Sequence, residues 1–92
     1  MSSWTFLTNH ARVLLCIAQD ADIRLRDIAE RVGITERAAQ RIVGDLVAEG
    51  YVTTAREGRR NHYEVHFDRK LRHPLECGAD VGGLVQVLHG AP

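Results

Sequence analysis

The spacing of the hydrophobic positions changes once along the chain, near residue 50. Before that point apolar residues recur every three or four positions, which is the pattern of helices that place one face on a core. After it, apolar and polar residues alternate, which is the pattern of half-buried strands. We therefore expect the chain to begin with helices and to continue with a small sheet.

The first predicted helix runs to Gln19, with Thr8 or Asn9 as its N-cap, because a short side-chain oxygen can accept from the free amides of the first turn. Its apolar residues form two stripes, one of Leu7, Ala11, Leu14 and Ala18, the other of Val13, Cys16 and Ile17. A helix that is apolar on two faces must be covered on more than one side. We therefore expect a second copy of the chain to cover part of it.

Two further helices are predicted, separated by a short turn. The second has the inward stripe Leu25, Ile28, Ala29 and Val32. It ends at Gly33, since glycine readily takes the left-handed conformation that follows a helix. The third begins after Thr35 as N-cap, extends from Glu36 to about Glu49, and has the inward stripe Ala39, Ile42, Val43 and Leu46. Two helices joined by so few residues predict a helix-turn-helix.

A two-stranded hairpin is predicted after the third helix. Residues 51–56 are rich in strand formers, and Tyr63, Val65 and Phe67 alternate with polar residues in the second strand. Residues 57–61 form the connecting loop, and residues 68–73 form a charged connector. A short final helix is predicted over 80–89 with Asp80 as cap, and a strand over 84–88 remains the alternative.

The segment from Leu25 to Val52, LRDIAERVGITERAAQRIVGDLVAEGYV, resembles the recognition unit of MarR- and ArsR-type bacterial transcription regulators. The segment REGRRNHY that follows resembles their wing, and the resemblance covers about residues 8–67. It implies an α+β fold, a winged helix-turn-helix with a three-helix core, a hairpin wing and a short C-terminal helix. It also implies binding of double-stranded DNA in transcription regulation. We expect residues 1–92 to form a single domain, with 68–92 as connector and dimerisation segment.

The third helix carries the candidate base-reading residues. Arg37, Gln40, Arg41 and Gly44 share one face, opposite the apolar stripe. In a major groove, arginine can pair bidentately with guanine and glutamine with adenine. Thr35 and Glu36 lie at the start of the helix, where a hydroxyl and free amides can meet phosphate. The alternative interpretation is a solvated helix surface, since arginine and glutamine are common there.

The predicted wing carries the candidate backbone-contacting residues. Arg59 and Arg60 are adjacent at the hairpin tip, where they can contact phosphates or enter the minor groove. Arg56 and Asn61 are supporting DNA contacts, and His62 is a further one. The alternative is a solvated turn that protects the edge of the hairpin. Residues 69–72, which hold three basic side chains, are interpreted as a solvated connector.

Composition and charge limit the other possibilities. The chain has 92 residues and a formal net charge of zero, but residues 51–73 hold six basic residues against three acidic ones. Basic charge is thus concentrated where the wing is predicted, and the chain is not a uniformly basic binder. No catalytic motif is visible, so we expect no enzyme and no cofactor. No apolar run is long enough to span a bilayer, and the N-terminal residues do not resemble an export signal, so a cytoplasmic location is expected.

The two ends of the chain predict a homodimer. Trp4, Phe6 and Leu7 precede the first cap, and four large apolar residues lie between 84 and 88. Two alternatives to a DNA-binding dimer stay open. One is a metal- or thiol-responsive sensor using His73, Cys77 or Asp80, although two cysteines give no zinc signature and a metal site is not favoured. The other is a winged-helix module that binds a protein. A small-molecule effector is not indicated.

Overall fold

The computed structural model describes residues 3–58 and 60–89. Four helices and two strands follow one another: α1 (Asn9–Gln19), α2 (Leu25–Val32), α3 (Glu36–Ala48), β1 (Val52–Glu57), β2 (Arg60–Val65) and α4 (Val81–His89). This confirms the predicted α+β architecture of three helices, a hairpin wing and a short C-terminal helix. The predicted helix, and not the alternative strand, is therefore correct for the C-terminal segment.

The helix ends follow from local chemistry. The Thr8 side chain accepts a hydrogen bond at the start of α1, and the Thr35 side chain accepts one from the Ala38 amide at the start of α3. Gly33 has φ 86° and its amide donates to the Ala29 carbonyl, which closes α2. The turn of the helix-turn-helix thus consists of the left-handed Gly33, Ile34 and the cap Thr35.

The wing is tighter than the sequence suggested. β1 and β2 pair antiparallel with Glu57 opposite Arg60, which leaves only Gly58 and Arg59 to connect them. Gly58 has φ 63°, and two-residue hairpin connections require positive φ. The predicted loop over 57–61 is therefore wrong, because Arg60 and Asn61 belong to β2.

Phe67 also differs from its prediction. It lies beyond the end of β2 in a turn and is 47% exposed. The strand alternation stops at Val65, where the amide of His66 donates to the Tyr51 carbonyl and the chain turns away. The alternation of apolar and polar residues continues past the end of β2, so it wrongly placed Phe67 on the buried face of the strand.

The core lies between the three N-terminal helices and the base of the wing. Its largest fully buried side chains are Ile17, Ile28, Val13, Val52 and Val81. The stripe of Val13, Cys16 and Ile17 on α1 is buried by the chain itself, so this face needs no partner to cover it. The other α1 stripe is less covered, with Leu7, Ala11 and Ala18 only half-buried.

The segment after the wing folds back onto this core. The Leu71 amide donates to the Ala79 carbonyl, and the Val81 amide donates to the Arg69 carbonyl. Asp80 caps α4 as predicted, because its side chain accepts from the Gly83 amide at 2.8 Å. Val81 is fully buried, so the start of α4 is part of the core. Within the described ranges, no helix is long and apolar enough to cross a membrane.

Candidate nucleic-acid interface

The α3 helix has two chemically opposite faces. Ala39, Ile42, Val43 and Leu46 are buried, whereas Arg37, Gln40, Arg41 and Gly44 are exposed. With about 100° of rotation per residue, the second set is centred on the side of the helix opposite the first. The structure thus brings together the candidate base-reading residues on one solvent-facing strip.

The N-terminal end of α3 presents a hydroxyl and a carboxylate. The Thr35 oxygen is used as an acceptor from the Ala38 amide at 3.0 Å, which leaves the hydroxyl hydrogen available to donate. Glu36 is exposed in the first turn, where its negative charge complements the helix dipole. A carboxylate repels phosphate, so Glu36 fits a helix-stabilising position or a cytosine amino contact better than a phosphate contact.

The structure separates the arginines into two groups, and the first consists of those with partners. Arg12 donates to the Asn9 side chain at 3.0 Å and Arg31 donates to the Gln19 side chain at 2.6 Å. Arg69 donates to the Glu49 carbonyl at 2.9 Å, and Arg72 lies 3.7 Å from a Glu49 carboxylate oxygen. These guanidiniums already have roles within the fold.

In the second group, the guanidiniums of five exposed arginines have no hydrogen bond or ion pair to any residue that the structure describes. They are Arg24, Arg26, Arg37, Arg41 and Arg56. Two lie at the start of α2, two on the exposed face of α3 and one in the wing. Their five positive charges are available to an external anion.

Arg24 and Arg26 were missed by the sequence reasoning. Arg24 is the N-cap of α2 and makes no side-chain cap hydrogen bond. Their positions at the start of the first helix of the helix-turn-helix could have indicated a phosphate contact. They were missed because neither lies on the helix predicted to read bases. What distinguishes them from Arg31, farther along the same helix, is that Arg31 has a partner in Gln19.

In the wing, the register decides which predicted residues lie together. Arg56 pairs with Asn61, so both side chains are on the same face of the hairpin. Both are exposed at the outer end of a face whose inner end holds the buried side chains of Val52 and Tyr63. Arg60 lies in β2 opposite Glu57 rather than in a loop. Arg59 lies outside the described residues.

His62 has a structural partner. Its Nδ1 atom lies 2.7 Å from a carboxylate oxygen of Asp22, and the neighbouring Tyr63 amide donates to the Ala21 carbonyl at 2.8 Å. Both contacts attach β2 to the turn between α1 and α2. His62 therefore helps to fix the wing against the helices.

Arg69 is more than a solvated connector. Its guanidinium carbon lies 5.6 Å from the centre of the Tyr51 ring, and it donates to the Glu49 carbonyl at the C-terminal end of α3. The Tyr51 hydroxyl in turn donates to the Lys70 carbonyl at 2.9 Å. A cation at a helix C-terminus complements the helix dipole, so these contacts stabilise the end of α3.

The candidate metal ligands do not converge. Among residues 3–58 and 60–89, no group of three His, Cys, Asp or Glu side chains is placed to hold a metal ion. His73 accepts from the Leu75 amide, Cys77 donates to the Pro74 carbonyl, and Asp80 caps α4. Each of the three is engaged within its own turn.

Cys16 is a buried thiol. Desolvation raises its pKa above the ordinary value, and the positive charge of Arg31 opposes this shift more weakly. A raised pKa reduces the thiolate fraction at neutral pH and with it the reactivity. Cys16 is therefore a packing residue rather than a reactive thiol.

The fold defines the chain as a winged helix-turn-helix, and the exposed arginines give its third helix a positively charged face. The family model "Winged helix-turn-helix DNA-binding" matches residues 7–53. The chain belongs to this winged helix-turn-helix DNA-binding family. Membership confirms the predicted fold and the prediction that the chain is not an enzyme. No curated protein matches the sequence.

Solved structures of bacterial proteins share the fold. The PcaV transcriptional regulator from Streptomyces coelicolor, solved with its natural ligand, is 24% identical with a TM-score of 0.57, over 99% of this chain and 65% of its own. ZitR of Lactococcus lactis in complex with DNA is 15% identical with a TM-score of 0.58, over 71% of this chain and 46% of its own. T. potens IscR is 13% identical with a TM-score of 0.63, over 97% of this chain and 91% of its own.

ZitR is described as a zinc-responsive MarR family member, so this chain shares its fold with a protein of the MarR type. The chain spans about half the length of ZitR, 46%.

Proposed function

We propose that the chain is a sequence-specific double-stranded DNA-binding protein that regulates transcription, with α3 in the major groove. The observation that supports this most is the exposed α3 face of Arg37, Gln40 and Arg41, whose two guanidiniums have no partner among the described residues. An arginine-rich face opposite a buried stripe fits the major groove of DNA, where it can contact both phosphates and base edges. A regulator of this kind acts in the cytoplasm of a bacterial cell.

The helix geometry fits direct reading of bases. Arg37 and Arg41 are four residues apart, a distance of about 6 Å along the helix axis. This is close to two base-pair steps of about 3.4 Å each. Arg37, Gln40 and Arg41 can therefore contact neighbouring base pairs, with guanine favoured opposite the arginines and adenine opposite the glutamine.

The backbone contacts surround this strip. Arg56 and Asn61, with Arg59 and Arg60, contact phosphates or enter the minor groove from the wing. The free guanidiniums of Arg24 and Arg26 fit additional phosphate contacts at the start of α2.

The whole chain of 92 residues acts as one unit and as a homodimer in this proposal. Trp4 and Phe6 are 66% and 92% exposed, and their rings contact each other edge to face. Val87 and Leu88 on α4 are exposed as well. Such large apolar groups are typical of a surface that a partner covers.

An open groove lies between these two ends. It has a volume of about 880 Å³. Its apolar lining includes Leu7, Ala11, Leu14, Leu46, Tyr51, Leu71, Val81 and Leu84. The half-covered stripe of α1 thus faces this groove. A two-fold dimer would place two α3 helices about 34–36 Å apart in successive major grooves, on an inverted-repeat operator.

DNA binding is tested by selecting sites from a random duplex library and measuring the affinity for the enriched site. Arg37→Ala or Gln40→Ala should lower that affinity by about 1–3 kcal/mol and relax base preference at one position. Arg72→Ala is the matched control, because Arg72 is an exposed arginine paired with Glu49. Failure of the wild-type protein to enrich any sequence would contradict the proposal.

The dimer is tested by sedimentation of the full chain, free and on DNA. Removal of residues 80–92 is unsuitable, because it would take Val81 out of the core. The double variant Phe6→Ser and Val87→Ser changes two exposed groups and should shift the population towards monomer without unfolding the domain. A wild-type monomer at micromolar concentration in both conditions would refute the dimer.

A further inference from the structure

Gly44 is a costly residue for its position. It is the ninth of the thirteen residues of α3, well inside the helix. Glycine in a helix interior destabilises the fold by roughly 0.5–1 kcal/mol relative to alanine, because it loses more backbone freedom on folding. A physical reason for the glycine is therefore expected either inside the protein or outside it.

The structure excludes the internal reasons. Only Gly33, Gly50 and Gly58 have positive φ within the described ranges, so Gly44 needs no left-handed conformation. A Cβ atom built at Gly44 meets no atom of the described residues within 4 Å, so none of these neighbours requires the missing side chain. Gly44 is also exposed and lies several residues from both ends of α3.

The glycines of α4 show the contrast. A Cβ at Gly82 would lie 3.2 Å from the Phe67 carbonyl oxygen, and one at Gly83 would lie 3.3 Å from the Asp80 side chain. Both glycines have a close neighbour in the fold. Within the described helices, Gly44 alone has none.

We propose that Gly44 is the point of closest approach between α3 and the floor of the DNA major groove, so that the side chain at this position sets the depth of helix insertion. This inference rests on the proposed DNA binding. Gly44 lies one turn from Gln40 and within two turns of Arg37, on the same exposed face. A helix with side chains is about 10–12 Å wide and the groove about 12 Å wide, so a bare backbone on one side permits deeper entry.

The mechanism predicts opposite orders for folding stability and DNA affinity. Alanine and leucine are better helix formers than glycine, so Gly44→Ala and Gly44→Leu should both raise the melting temperature. In the groove the added atoms would hold α3 away from the bases. Gln40 and the two arginines would then reach the base edges less well, while the wing would still reach phosphate.

The test measures melting temperature and affinity for the selected site and for unrelated duplex DNA. We expect Gly44→Ala to lower affinity for the selected site about tenfold, the size of one bidentate pairing with a base, and Gly44→Leu to lower it further. Affinity for unrelated DNA should change much less, so the specificity ratio falls. Val47→Leu is the control, because it adds bulk to an exposed position of α3 about 60° around the helix axis.

The outcomes separate the two proposals. If wild-type protein selects a site and both Gly44 variants bind it as tightly, the role of Gly44 is overturned while DNA binding stands. The role of Gly44 in insertion depth is also refuted if the Gly44 variants lose affinity equally for selected and unrelated DNA. It is refuted as well if Val47→Leu loses as much affinity for the selected site as the Gly44 variants do. If wild-type protein binds no DNA, the proposed function itself fails.

Discussion

Two adjacent residues of α3 should give opposite phenotypes when each is replaced by alanine. Arg41 is exposed and its guanidinium has no partner among the described residues, whereas Ile42 is 3% exposed and belongs to the core. The two side chains leave the helix about 100° apart. Their different surroundings allow a quantitative separation of folding from DNA binding.

The expected effect of Ile42→Ala follows from its burial. Removal of a buried isoleucine side chain costs about 2–5 kcal/mol, from the transfer free energy of the deleted atoms and the cavity left behind. Such domains have a total free energy of unfolding of about 5–15 kcal/mol. Each kcal/mol corresponds to about 4–8 °C in melting temperature at this size. Ile42→Ala should therefore melt at least about 8 °C lower, and Ile42→Val should lie between it and the wild type.

Arg41→Ala should change the free energy of unfolding by less than about 0.5 kcal/mol, because the Arg41 guanidinium has no partner among the described residues. It should weaken binding to the selected site by about 1–3 kcal/mol. Thermal unfolding followed by circular dichroism and DNA titration followed by fluorescence anisotropy measure the two quantities. At a temperature where both variants are folded, Ile42→Ala should bind nearly as the wild type. A large drop in stability in Arg41→Ala with unchanged DNA affinity would refute the assignment of the two faces.

Three other predictions concern the end of α3, the wing and the buried thiol. Arg69→Ala should lower the free energy of unfolding by about 1 kcal/mol, because it removes the hydrogen bond to the Glu49 carbonyl and the cation–π interaction with the Tyr51 ring. A denaturant titration that is unchanged from wild type would show that these two interactions do not stabilise the fold. The double variant Arg59→Ala and Arg60→Ala should weaken binding even to unrelated DNA. The slope of log affinity against log salt concentration should become shallower by about 0.9 for each phosphate that is no longer neutralised, and an unchanged slope would mean that the wing does not touch DNA. Because the pKa of Cys16 is raised, its thiol stays protonated to higher pH in the folded chain than in the unfolded chain. Its contribution to stability is therefore complete below the ordinary thiol pKa and is lost as the pH rises through the pKa of the folded state. Cys16→Ala should remove this alkaline destabilisation in denaturant titrations, and the same destabilisation in the variant would contradict the explanation.

The amino-acid sequence by itself determined the helices and the division of α3 into two faces. Ala39, Ile42, Val43 and Leu46 were predicted as the inward stripe and are buried. Thr35 was predicted as the cap and accepts from the third residue beyond it. Both features depend on residues within one or two helical turns, and such short-range relations can be read directly from spacing.

Only the tertiary structure decided which polar groups are available. Arg69 and Arg56 are both arginines in the basic stretch, but one contacts Tyr51 and Glu49 while the other has no partner among the described residues. Gly44 and Gly82 are both helical glycines, but only Gly82 has a backbone carbonyl in the space of a side chain. These differences come from residues far apart in sequence that the fold places next to each other, and no local period contains that information.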